Sequence, residues 1–353
     1  MLRQAKLAAL YFLKSTGVFE LVANSSWRQK RLLILCYHGI SLEDEHLWRP
    51  ALYMEPQKLK QHFELLKATR CSVLPLGEAL HRLQSGTLPP RSVALTFDDG
   101  TYDFYAQATP LLLQYGYPAT VYLTTYYTAF ELPVYNLIYS YMLWKRGGEV
   151  IANGAEIGID GPLDLRTESA RHEIVLRLLE RTEREHMDTR QKDDLAARLA
   201  NFLRLDFAHI KSRRILQLMQ PREVAEISRK GIDVQLHTHR HRTPEQEDLF
   251  RREIQDNRKC IQEFIAKDAV HFCYPSGVHR LGFLPWLEKE RVVSATTCDV
   301  GLATCDSNSL LLPRYIDNQT RTPIDFESWI TGVGDLLAVH RAARQSYLPV
   351  EGS

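Results

Sequence analysis

The chain has 353 residues, a length that suits one large domain or two ordinary ones and allows a sizeable hydrophobic core. Hydrophobic residues make up 44% and charged residues 25%, with only 18 Gly and 16 Pro, which excludes disordered, collagen-like and disulfide-dense chains. Forty-four Lys plus Arg against 43 Asp plus Glu leave a formal charge of +1, so no global field gathers phosphate and nucleic acid is not an expected partner.

Residues 1–30 place Leu2, Leu7, Leu10, Leu13 and Val18 at helical spacing among the basic Arg3, Lys6, Lys14, Arg28 and Lys30, which predicts an N-terminal amphipathic helix. Its longest apolar run, Leu7 to Leu13, ends at Lys14 and falls short of the roughly 18 residues a membrane span requires. No small-residue cleavage site follows it, so no secretion signal is read. Such a stripe either packs on its own domain, the preferred reading, or makes peripheral contact with a membrane.

Two short apolar runs follow, Arg31 to Cys36 and Ser92 to Phe97, each of the kind found in a strand buried on both faces. The first ends in Tyr37-His38-Gly39 and the second in Asp98-Asp99-Gly100. Helical spacing from Tyr102 to Tyr115, a Gly116 cap and a run over Ala119 to Leu123 complete a strand–helix–strand unit. Residues 126–225 change to long charged helical stretches and read as an insertion. Gly231 to Leu236 restores a strand ending at His237, a helix covers 245–266, and strands follow at Val270 to Tyr274 and Val292 to Thr297. A last segment, Leu310 to Ile316, contains Pro313 and suits an edge or irregular strand.

The expected organisation is therefore an N-terminal helix at 1–30, an α/β core at 31–125 and 226–320, a helical insertion at 126–225, and a C-terminal helix and tail at 321–353. Repeated strand–helix units admit a barrel or a doubly wound sheet, and in both the ligand site gathers at the C-terminal ends of the strands. No repeat or Gly-rich phosphate loop is present. The six cysteines, Cys36, Cys71, Cys260, Cys273, Cys298 and Cys305, contain no CxxC pair and read as reduced thiols of a cytoplasmic protein.

Three chemistry-bearing features each follow a predicted strand: His38, the Asp98-Asp99 pair, and the run His237-Thr238-His239-Arg240-His241. His237 and His241 are four residues apart, a spacing that lets two imidazoles meet one ion, and Asp99 is the choice for a third ligand. Two imidazoles and one carboxylate leave positions open for water and substrate, as a catalytic metal needs. A glycosidase reading would pair Asp98 with another acid, but adjacent residues of a strand point oppositely, and the histidines would then have no use.

The segments SVALTFDDGTYDF, LHTHRHRTP and FCYPSG together resemble the polysaccharide deacetylase family, the NodB-homology group or carbohydrate esterase family four, in a YHGI-opening form associated with exopolysaccharide and surface glycans. The resemblance covers about 30–125 and 226–320. It implies a distorted (β/α) barrel and a divalent metal, zinc being the first choice. By position, Asp98 resembles the general base and Asp99, His237 and His241 the metal ligands, while His239 falls at a variable position and reads as an exposed loop residue. Thr238 matches a Ser/Thr position whose hydroxyl fixes the loop. The implied reaction is hydrolysis of the acetamide of an N-acetylated sugar, with an oxyanion donor in the Tyr274-Pro275-Ser276 loop, the Ser276 N–H being the choice.

For the proton of the leaving amine, His38 at the end of the first strand is preferred over His340, which lies in a helix-like context. The familiar arginine of an RPPYG-type third motif is replaced by Cys273, read as core packing, so Arg314 is the candidate to orient Asp98. The expected partner is an N-acetylated glycan or lipid-linked sugar, the latter met at the inner face of a membrane. The alternative is a non-catalytic carbohydrate-binding or assembly protein that retains the fold. The sequence leaves the oligomeric state, the sugar and its linkage open.

Overall fold

The computed structural model describes residues 2–129 and 133–338. Eight strands form one parallel sheet: β1 (Leu33–Tyr37), β2 (Ser72–Val73), β3 (Ser92–Phe97), β4 (Thr120–Leu123), β5 (Asp233–Leu236), β6 (His271–Cys273), β7 (Ser294–Thr296) and β8 (Tyr315–Ile316). Their order is β7-β6-β5-β4-β3-β1-β8, with β2 beside the start of β3. The long strands are the predicted ones: β3 keeps its predicted bounds, β1 starts two residues later and ends one later, and the others are shortened by one or two residues at one or both ends.

The Leu310 to Ile316 segment is irregular as expected, but it is not an edge. Leu312 donates its N–H to Ala295 and accepts from Thr297 at the β7 end, while Tyr315 and Ile316 pair with Leu35 and Cys36 of β1. One segment thus joins both ends of the sheet and curls it into a barrel. Pro313, which has no N–H to donate, stands where the partner changes, so the switch leaves no donor stranded there.

Strand alternation sorts side chains to two cores. Leu33, Leu35, Val93, Leu95, Val121, Val234 and Phe272 face the surrounding helices. Ile34, Ala94, Tyr122 and Cys273 point into the barrel, where Leu76, Ala79 and Leu83 of the helix Leu76–Gln84 join them. The expected helix after β3 begins instead with a π-helical turn, Phe104–Ala108, before the α-helix Thr109–Tyr115. Pro110, in the first turn of that α-helix, has no N–H to donate back to the π turn, and the widened register lets both the N–H and the hydroxyl of Thr109 reach the Phe104 carbonyl.

The inserted region has its own core, built from the helices Tyr135–Lys145, Glu168–Arg184 and Thr189–Phe202 around Ile138, Met142, Leu178 and Leu199. It also carries a small antiparallel ribbon, Val150–Ile151 with Leu163–Asp164, that its charged sequence did not suggest. The helix Pro221–Arg229 already belongs to the barrel, with Val224 and Ile227 in the main core.

The N-terminal region is three helices, Leu2–Ser15, Val18–Ala23 and Ser26–Gln29. Leu10 and Phe19 bury against Ile324 and Val333, and the basic side is engaged within the chain: Lys6 pairs with Asp325 at 3.0 Å and Lys14 with Glu327 at 2.6 Å. Among the described residues no helix is long and apolar enough to cross a membrane.

Arg28 ties this region to the barrel. Its fully buried guanidinium donates to the carbonyls of Ile330, Arg31 and Ser92, and burial pulls its pKa down to about 10. Arg28→Ala strands these carbonyls without water, so urea unfolding is expected to show a loss of about 2–4 kcal/mol. Arg28→Lys should recover only part of it, because one ammonium cannot span acceptors that a planar fork reaches. Unchanged stability of Arg28→Ala would refute this tie.

Candidate active site

The inward parity of the strands delivers the site. Ala94 and Thr96 point into the barrel, so Asp98 does as well, and the same parity carries Gln235 to His237 and Cys36 to His38. Asp98 is 3% exposed and meets Arg314 in a two-pronged pair, Nη1 to Oδ1 at 2.7 Å and Nη2 to Oδ2 at 2.8 Å. The Arg314 guanidinium also donates to the Thr297 carbonyl and the Thr96 hydroxyl. Burial pushes the Asp98 pKa up, but the charge and hydrogen bonds of Arg314 outweigh it and hold the carboxyl well below the usual range.

Asp99 turns away from its neighbour because its backbone is left-handed, with φ at +72°. Its Oδ1 lies 3.2 Å from His237 Nε2 and 3.2 Å from His241 Nε2. Two donors about 2.0–2.1 Å from one tetrahedral ion stand roughly 3.3–3.4 Å apart, so this spacing fits a shared first coordination shell. His237 Nδ1 lies 2.9 Å from the Cys273 carbonyl, to which it donates, leaving Nε2 to face the cluster, as a metal-ligating imidazole requires. His237 is buried, whereas Asp99 and His241 keep 33% and 39% of their side chains exposed, so the cluster opens to solvent on one side.

The loop that carries the histidines is strained and braced. Thr238 and His241 have φ of +62° and +55°, and the former is a β-branched residue that rarely adopts such a backbone. The Thr238 hydroxyl accepts from the Arg242 N–H at 3.0 Å, and Thr124 donates to the carbonyls of His237 and Thr238. Buried Glu253 takes the Arg240 N–H and the guanidinium groups of both Arg240 and Arg242. Asn257 accepts from the His237 N–H and donates to the Leu123 carbonyl.

A family model described as polysaccharide deacetylase matches residues 85–284. The chain belongs to the polysaccharide deacetylase family. A poly-beta-1,6-N-acetyl-D-glucosamine N-deacetylase of Escherichia coli strain K12 is 26% identical over 101 residues, 28% of this chain. One of Staphylococcus epidermidis is 38% identical over 69 residues, 20% of this chain. These matches span 15% and 24% of the two relatives' own lengths. Among solved structures, the Streptococcus pyogenes deacetylase PplD in complex with acetate superposes with a TM-score of 0.55 at 18% identity, covering 83% of this chain and 95% of that one. IcaB from Ammonifex degensii gives 0.51 at 15% identity, covering 85% and 97%. The likeness establishes the deacetylase-type barrel.

Around the cluster the other predicted residues fall in different ways. His38 Nε2 stands 3.7 Å from Asp98 Oδ2, close but not hydrogen-bonded. Ser276 is exposed with φ at +54° beyond buried Pro275, and Gly277 beside it leaves no room for a side chain against Cys298. Tyr274 is buried, and its hydroxyl donates to the Leu310 carbonyl, so it anchors the loop to the closing segment. His239 is half-buried and not an exposed loop residue, its Nδ1 lying 2.9 Å from the Thr125 hydroxyl. His340 lies outside the described residues.

Sequence reasoning missed the thiols. Cys273, expected to be packing alone, lies with its Sγ 3.4 Å from Asp98 Oδ2 and 3.1 Å from Arg314 Nη2, and Cys36 Sγ is 3.5 Å from the same carboxylate oxygen. Strand parity was the signal: Cys36, Thr96, Tyr122 and Cys273 all share the inward register that ends at the acids.

Arg314→Met leaves Asp98 buried and uncompensated, an expected loss of about 3–5 kcal/mol in urea unfolding, and adding Asp98→Asn should restore part of it; strictly additive losses would contradict the pairing. Asp103 accepts from the Ile40 N–H and the Thr101 hydroxyl, yet burial outweighs these bonds and raises its pKa to about 8. The native carboxyl therefore keeps its proton between about pH 4 and about pH 8 while the unfolded chain has released it, so stability falls as pH rises through that window. In chelator-treated protein the melting temperature should drop more from acidic to mildly alkaline pH in the wild type than in Asp103→Asn.

Proposed function

We propose that the chain is a metal-dependent hydrolase that removes acetyl groups from N-acetylated sugars of a polysaccharide, oligosaccharide or glycolipid. The observation that carries this reading is the meeting of Asp99, His237 and His241 on one centre, beside a second carboxylate kept ionised by Arg314. Two imidazole nitrogens and a carboxylate oxygen suit Zn²⁺ among the divalent ions. Such an ion, when bound, would polarise the amide carbonyl and make a water acidic enough to lose its proton near neutrality.

The remaining work falls to the chain. Asp98 takes the proton of the attacking water, and the Arg314 fork sets the direction of its lone pairs. The Ser276 N–H supports the oxygen that becomes negative as the carbonyl is attacked. His38, at the rim beside Asp98, hands a proton to the departing amine. The non-catalytic alternative required a disabled base. Arg314 supplies the cation that the changed third motif lacks, which favours catalysis.

The named activity of the aligned relatives makes β-1,6-linked N-acetylglucosamine oligomers the first substrates to test. Acetate release by Asp98→Asn should fall by roughly 10²–10⁴-fold, the usual contribution of a positioned base. His38→Ala should lose a comparable factor on the amide yet keep most of its rate on an aryl acetate ester, whose leaving group needs no proton. Full amide turnover by His38→Ala would remove it from the mechanism, and no acetate from any N-acetylated glycan would overturn the reading.

A further inference from the structure

The segment after His38 runs out from the barrel and returns. Gly39 donates to the Leu52 carbonyl, and the Tyr53 ring lies against Gly39 so closely that no side chain would fit there. At the outer end of this excursion, between the helix Glu45–Trp48 and the inserted helices Tyr135–Lys145 and Glu168–Arg184, a cleft of about 500 Å³ opens. Nothing in the reaction described above uses it.

Its walls are two indoles on one support. Trp48 meets Tyr141 edge-on at 5.5 Å, and Trp144 stacks on the same ring at 5.9 Å. Tyr141 is buried and its hydroxyl donates to Asp44, which also pairs with Lys145 at 2.6 Å, so the platform is fixed across the seam between barrel and insertion. The indoles remain partly exposed.

The charge in the cleft is mainly positive. Arg49 lies over the Trp48 ring at 4.6 Å and, among the described residues, makes no ion pair and no side-chain hydrogen bond. Arg171 gives one arm to the Leu165 carbonyl and keeps the rest of its fork, and His172 stands beside it; Glu168 is the one opposing acid in the lining. With Arg49 over the Trp48 ring, the Trp144 indole is the flat face left to meet the C–H face of a sugar ring, donors beside it suit the ring's hydroxyls, and a guanidinium with unused donors suits a carboxylate or phosphate.

We propose that this cleft is a second saccharide-binding site, which takes a hexose unit bearing a negative charge and so holds a glycan at a distance from the Asp99–His237–His241 cluster. The Arg49 carbonyl accepts from the Tyr53 N–H, and Tyr53 adjoins Gly39 next to His38, so one short segment links the cleft to the rim of the site, and the proposal has an extended oligosaccharide follow it. The assignment of a saccharide rests in part on the deacetylase reading; the anion and stacking chemistry do not.

Calorimetric titration of the full chain with N-acetylglucosamine 1-phosphate, glucuronic acid, neutral N-acetylglucosamine and inorganic phosphate tests it. At least one of the two acidic sugars should bind saturably and more tightly than the neutral sugar or phosphate alone, and which one binds identifies the acid group. Arg49→Gln should weaken that binding roughly tenfold, the usual worth of one charged hydrogen bond. Trp144→Ala should weaken it also, with Trp144→Phe retaining the fold and part of the affinity, and His241→Ala should leave it intact. Equal binding of inorganic phosphate, unchanged binding by Arg49→Gln, or loss in His241→Ala would overturn the proposal. In acetate release, Arg49→Gln should raise KM for long acidic oligosaccharides while kcat and turnover of short neutral ones stay unchanged; an unchanged KM would refute the link to turnover. If the wild type releases no acetate, the deacetylase reading fails and the titration alone decides the cleft.

Discussion

Two adjacent carboxylates at the end of one strand must occupy opposite electrostatic worlds: strand parity separates them, and the backbone reversal at Asp99 aims the second at the imidazoles. Strand parity delivers Asp98 inward to a buried guanidinium, and the left-handed turn swings Asp99 out to the two imidazoles. Without that reversal the second carboxylate would follow the outward face and meet the helices. Gly100, with φ of +76° and a position where a side chain would strike Leu123, continues the reversal and lets the chain leave the barrel mouth.

The buried Asp98–Arg314 pair in turn constrains the topology. A fully buried arginine needs every donor met, and Arg314 finds its acceptors on two different strand ends, at Thr96–Asp98 and at Thr297. The segment that brings it is the one that joins β1 to β7, so closing the barrel and neutralising the base are a single structural event. The thiols of Cys36 and Cys273 fill the space around the pair with small, weakly polar groups.

Much of this was legible in the chain. The apolar runs ending in His38, Asp98 and His237 marked three strand ends, and the four-residue spacing of His237 and His241 marked a shared centre. The β2 strand was not legible, since Ser72–Val73 is too short to show a period. Nor were Glu253 and Asn257, which brace the histidine loop from a helix: a polar residue on an amphipathic helix reads as solvated until the fold shows what lies above it. Arg314 was identified as a cation in search of Asp98, but its role in closure rests on pairing partners far apart in sequence, which no local pattern records.

The inserted helices enclose a core of their own and meet the barrel through the excursion that begins at His38, so the region most distant from the family motifs is tied to the rim of the site. The proposed chemistry depends on Asp99, His237 and His241 gripping one cation. Titrating zinc into chelator-stripped protein, with metal analysis of the product, tests it most directly. One tightly held ion per chain is expected, lost in Asp99→Ala and in His241→Ala and kept in Asp98→Asn; stoichiometric binding that persists in both of the first two variants, or none in the wild type, would refute the shared grip.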